Sequence, residues 1–118
     1  MADSLSVFVI EDEPLISMMI EDFVDLLGHE IAGTADSIAG ALPQIADVAF
    51  DVAILDVHLR DGVCWPVADA LVAAGKPFLI ATGGFVEAPP ARHAQARLLS
   101  KPFTLDGVRV ALEEFTSA

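Results

Sequence analysis

Short apolar runs and stretches of helical periodicity take turns along this chain, which leaves few architectures open to it. Ser6-Val7-Phe8-Val9-Ile10 reads as a short apolar strand. Pro14 then opens a helix with Ile16, Met19, Ile20, Phe23, Leu26 and Leu27 inward, and Gly28 stops it. His29 to Ala35 is a weaker strand, and Asp36 is placed to cap a second helix carrying Ile38, Leu42 and Ile45, with Pro43 inside it. Asp51 to Leu55 is the third strand, followed by the loop Asp56–Gly62 and a third helix through Trp65, Pro66, Ala68, Leu71 and Val72 to Gly75. Pro77–Thr82 and Leu98–Ser100 are the fourth and fifth strands, and Thr104 caps a last helix with Leu105, Val108, Ala111, Leu112 and Phe115 inward.

Strands that are apolar on both faces, each followed by a helix, predict a parallel sheet covered on both sides. About five such units in a chain of 118 residues predict a flavodoxin-like doubly wound α/β fold, order 2-1-3-4-5, whose ligands bind at the carboxyl ends of the strands. Between Thr82 and Lys101 the pattern breaks down. Gly83-Gly84, Pro89-Pro90 and an apolar face made only of alanines after Val86 predict a fourth helix that is short or mobile. The length predicts a single domain over residues 1–118, with no output domain.

Charge narrows the function. The net charge is −12; no Lys or Arg precedes Arg60, and twelve of the eighteen acids fall in residues 1–59. Nucleic-acid binding depends on neutralising phosphates with cations, so it is not expected. No apolar run approaches the ~20 residues of a membrane helix, and the N-terminus lacks a basic region, so a cytoplasmic protein without membrane association is expected. The single Cys64 excludes an internal disulfide, and no Cys/His spacing resembles a zinc site. Cys64, His29 and His93 read as ordinary structural residues.

The strand ends carry the chemistry. The first strand runs into Glu11-Asp12-Glu13, the third into Asp56, the fourth ends at Thr82, and the fifth meets Lys101-Pro102. In a parallel sheet all of these project from one edge. Crowded carboxylates repel one another, and a hard divalent cation with oxygen ligands would compensate them. Asp12 and Asp56 suit direct ligation of Mg2+, and Glu11 suits it directly or through water. A carboxylate is also a known covalent acceptor of phosphoryl groups, which makes Asp56 the candidate nucleophile. Mg2+, the Lys101 ammonium and the Thr82 hydroxyl would then meet the three equatorial oxygens of the transferred group.

Taken together, "VFVIEDEP", "DVAILDVHLRDG", "IATGG" and "LLSKPF", in that order, resemble the receiver domain of two-component response regulators over essentially the whole chain. The resemblance implies phosphorylation of Asp56 by a histidine kinase or phosphotransfer protein. It implies Mg2+ held by Asp12, Asp56 and the main-chain carbonyl of His58, supported by Glu11, with Lys101 paired to the phosphoryl group. "KPFLIATGGF" further resembles single-domain receivers with a Pro-Phe-x-Phe-Ala-Thr-Gly-Gly/Tyr motif, Ile80 standing for the inner Phe and Phe85 as the trailing aromatic. Receivers commonly place Tyr or Phe three residues before the lysine, where this chain has Leu98. Ordering of residues 84–96, with Phe85, is the expected substitute for that aromatic switch.

The expected function is therefore a stand-alone, monomeric response regulator. It would catalyse only its own phosphorylation and dephosphorylation, and signal through a downstream protein partner or drain phosphate from a kinase. Two alternatives share some of its features. A pseudo-receiver would keep the fold as a binding module without phosphorylation. A small Mg2+-dependent phosphohydrolase with an aspartyl-phosphate intermediate would ordinarily place a second Asp two residues after the nucleophile, where His58 stands.

Overall fold

A computed structural model describes residues 4–82, 90–93, 96–100 and 103–116, Thr82 and Ser100 through their backbone alone. The elements run β1 (Ser6–Ile10), α1 (Pro14–Leu26), β2 (Glu30–Ala35), α2 (Ile38–Asp47), β3 (Val52–Asp56), β4 (His58–Leu59), β5 (Gly62–Val63) and α3 (Trp65–Ala73). They continue through β6 (Phe78–Thr82), a 3-10 turn at Ala91–His93, β7 (Arg97–Ser100) and α4 (Leu105–Glu113). The main sheet has the order β2-β1-β3-β6-β7 with every pairing parallel. Counted among themselves, its strands give the expected doubly wound order 2-1-3-4-5.

β1 and β3 lie inside the sheet because their runs Val7–Ile10 and Val52–Leu55 are wholly apolar: β3 is buried at every residue and β1 from Val7 onward. Alternation along the strands divides the core in two. Phe8, Ile10, Ala53, Leu55 and Ile80 face α2 and α3, where they meet Ala41, Ile45, Val67, Ala68 and Leu71. Val7, Val9, Val52, Ile54, Leu79 and Ala81 face α1 and α4, where they meet Ile20, Val24, Val108 and Leu112. The weaker β2 is an edge strand, and its register against β1 slips between Val7 and Phe8.

The predicted helix stops hold. Gly28 (φ 84°) and Gly75 (φ 70°) adopt the left-handed conformation that closes α1 and α3. The amide of His29 then reaches the carbonyl of Val24 at 3.0 Å, and that of Lys76 reaches Leu71 at 2.9 Å. Other details differ from the sequence reading. Ser37, not Asp36, caps α2, its Oγ accepting from the Gly40 amide at 2.9 Å. Asp36 is engaged elsewhere, 3.1 Å from the Arg60 guanidinium. Leu26 is exposed because six residues after Ile20 it falls roughly 120° off the inward stripe. The loop predicted after Asp56 contains the antiparallel hairpin β4–β5. The predicted short or mobile fourth helix falls largely on residues 83–89 and 94–95, which lie outside the described residues; the described ones between β6 and β7 include a 3-10 turn at Ala91–His93.

Candidate functional site

β1 and β3 are parallel neighbours with Ile10 opposite Leu55, so the residues that follow, Glu11 and Asp56, emerge side by side at the carboxyl edge of the sheet. Asp12 joins them. One carboxylate oxygen from each of Glu11, Asp12 and Asp56 lies within 4.8 Å of the other two. Glu11 and Asp56 are buried and Asp12 is half-buried. The backbone fixes the group: the Glu11 amide donates to Ala35 O at 2.9 Å, the Glu13 amide to Glu11 Oε2 at 3.2 Å, and the Val57 amide to Asp56 Oδ1 at 3.0 Å. A cavity of about 270 Å³ opens beside Glu11 and Asp12, with Ser17, Thr34 and Asp36 among its walls.

The other residues singled out in the sequence stand as follows. Ala81 of β6 is the register partner of Asp56, and Thr82, the next residue, pairs through its backbone with Ser100 of β7. Lys101 follows Ser100 in the chain; its own position, like that of Phe85, lies outside the described residues. His58 is in β4 with its side chain exposed, away from the three carboxylates. Leu98 is exposed on β7 while its neighbour Leu99 is buried.

The donor set suits a hard cation. Three carboxylates offer oxygen ligands of the kind Mg2+ takes. The Cys64 thiol does not compete. Burial, followed by the charge of Asp56, pushes its pKa up to about 12, so it stays protonated near neutral pH. A thiol reagent at pH about 8 is accordingly expected to modify Cys64 only after urea unfolding. Rapid labelling of the folded protein would contradict the burial.

Sequence reasoning missed two carboxylate anchors. Asp61, at the tip of the β4–β5 hairpin, accepts from the Ile38 amide at 2.6 Å and the Ala39 amide at 3.1 Å. Asp69 on α3 binds Arg92 through two contacts of 2.7 and 3.1 Å and lies 2.7 Å from His93 Nε2. His93, read as an unremarkable histidine, is buried and stacked on Trp65 with ring centroids 5.8 Å apart. The only available sign was Arg92-His93 following two prolines, and nothing local points from there to Asp69.

Both anchors make stability pH-dependent. The backbone amides of Ile38 and Ala39 hold the Asp61 carboxyl below its usual range, and hydrogen bonds from Arg92 and then His93 do the same for Asp69. Carboxylates with depressed folded-state pKa values stabilise the fold above their ordinary value and lose that contribution as pH falls through the folded value. The urea midpoint should therefore drop as the pH is lowered below about 5, and Asp69→Asn should flatten part of that drop. Parallel profiles for the variant and the native chain would count against the Asp69 anchor.

A doubly wound parallel sheet with three acids at the carboxyl ends of two neighbouring inner strands defines the class, an α/β fold whose ligands bind at that edge. No family model and no curated protein matches the chain. Among solved structures it is similar to SdrG from Sphingomonas melonis Fr1, at 43% identity over 97% of this chain and 99% of that one, TM-score 0.80. A structure of the BeF3-activated conformation of SdrG from Pseudomonas melonis Fr1 matches at 47% identity over 91% and 92% of the two chains, TM-score 0.77. The REC domain of the PhyR response regulator of Erythrobacter litoralis matches at 32% identity over 98% and 94%, TM-score 0.74. The chain belongs to the receiver family of response regulators. Among the described residues, no helix is long and apolar enough to cross a membrane.

Proposed function

We propose that this chain is a single-domain receiver of the Pro-Phe-x-Phe-Ala-Thr-Gly type that accepts a phosphoryl group on Asp56 from a histidine kinase or phosphotransfer protein. The observation that carries the reading is the convergence of Glu11, Asp12 and Asp56 within 4.8 Å at the carboxyl edge of the sheet. The BeF3-activated structure of the SdrG relative adds support, because trifluoroberyllate is a tetrahedral mimic of a phosphoryl group.

In this reading Asp12, Asp56 and the His58 carbonyl hold Mg2+, with Glu11 behind them. The bound ion offsets the carboxylate charge and the charge of the incoming phosphate. An Asp56 carboxylate oxygen forms a bond to phosphorus as the P–N bond to the donor imidazole breaks, the bonding pair leaving with the nitrogen. The Val57 amide, 3.0 Å from Asp56 Oδ1, orients the carboxylate so that its other oxygen can attack. Thr82 closes β6 and Lys101 follows β7 in the chain, and in this reading they supply a hydroxyl and an ammonium for the transferred oxygens. The output is a protein contact in the cytoplasm, made by a monomer, or removal of phosphate from the kinase.

The test is intact mass after incubation with a small phosphodonor, with and without Mg2+. A Mg2+-dependent adduct that hydrolyses as an acyl phosphate does is expected. A folded protein that binds Mg2+ yet forms no adduct with the small donor or with phosphorylated kinase would make the domain a pseudo-receiver.

A further inference from the structure

We infer that Asp61 is a positioning residue for the proposed metal site, pinning the hairpin that follows Asp56 to the start of α2. The inference rests on the Mg2+ reading above and assigns a role to a residue outside the carboxylate group.

The hairpin is a short finger with defined joints. At its base the Cys64 amide donates to Val57 O at 2.8 Å. His58 pairs with Val63 and Leu59 with Gly62, leaving Arg60 and Asp61 as the tip. Two rungs make a weak hairpin in water, so its position has to be set by what its tip touches. Both Asp61 oxygens are taken by α2 amides, at 2.6 Å from Ile38 and 3.1 Å from Ala39. These belong to the amides a helix leaves unpaired at its N-terminus. Beside them the Arg60 amide donates to Asp36 O at 3.2 Å.

These contacts close a circuit around the site. Asp36 follows Ala35, whose carbonyl accepts from the Glu11 amide at 2.9 Å. The acidic loop after β1 and the hairpin after β3 are thus both referenced to the β2–α2 junction. His58, whose carbonyl is the proposed third ligand, lies between the anchored base at Val57 and the anchored tip at Arg60 and Asp61. Releasing the tip lets that carbonyl move against Asp12 and Asp56, while Asp56 stays on β3 and the acidic loop keeps its own tie to Ala35. Partners outside the ligand shell commonly tune metal affinity in this way.

The experiment is an NMR titration of the 15N-labelled protein with MgCl2, which reports folding and affinity together. Asp61→Ala is expected to weaken Mg2+ binding about tenfold. Asp61→Asn keeps an oxygen for the Ile38 amide and should recover part of the loss. Ser37→Ala removes the cap inside α2 but leaves the hairpin tip held, and should bind within about twofold of the native chain. Native affinity in Asp61→Ala, or equal weakening in Ser37→Ala, overturns the positioning role while leaving the Mg2+ site in place. Absence of Mg2+ binding by the native chain removes the site itself. If Asp61→Ala does not fold, Asp61→Asn decides: affinity equal to native overturns the role, and a severalfold loss with an otherwise native spectrum supports it.

Discussion

Asp56→Asn should fold, take up no phosphoryl group from a small donor in Mg2+, and melt above the native chain when the metal is withheld. The loss of the adduct follows from chemistry, since an amide oxygen is a poor nucleophile beside a carboxylate. The gain in stability follows from position: Asp56 is buried within 4.8 Å of two further carboxylate oxygens, so the metal-free fold carries their repulsion. Removing one charge should contribute about 1 kcal/mol or more, and the effective dielectric near the surface sets that scale. Mg2+ reverses the order. An ion that binds only the folded native protein stabilises it by mass action, so the gap should narrow or invert as Mg2+ is raised. The measurement is a pair of thermal melts, with chelator and with excess Mg2+, alongside intact mass. An adduct retained in the variant would move the acceptor to another residue.

Phe8→Ala should cost about 3–5 kcal/mol, a large part of the roughly 5–15 kcal/mol that holds a domain together. Phe8 is fully buried in the middle of β1, with its ring centroid 5.2 Å from that of Phe50. Its ring also lies 3.7 Å from where a Cβ on Gly33 would stand, so both the connection between α2 and β3 and the edge strand are packed against it. The cavity left by alanine would sit beneath the strand that delivers Glu11 and Asp12. Urea unfolding measures the cost directly. A loss under about 1 kcal/mol would mean that β1 is not a buried inner strand.

These two residues mark how far the sequence can be read. Phe8 sits in a run whose apolar character on both faces could only suit an interior parallel strand, and that run ends on the acids the fold brings together. Five such runs in order made the sheet topology legible, because right-handed crossovers leave few ways to connect parallel strands. Asp56 was legible for the same reason: an acid closing a buried strand must lie at the sheet edge.

Side-chain partners distant in sequence were not legible. Asp36 and Ser37 are both good caps on local grounds, and Arg60, twenty-four residues from Asp36, decided between them. Asp61 lay unremarked in the loop Asp56–Gly62, yet its partners are the amides of Ile38 and Ala39. His93 read as an ordinary structural residue, and nothing beside it in the chain named its partners Asp69 and Trp65 on α3. Periodicity and strand order are written in neighbouring residues, so the sequence by itself determined the sheet and the edge at which its acids meet. Which polar group answers which depends on the distances between packed elements, and only the tertiary structure decided those.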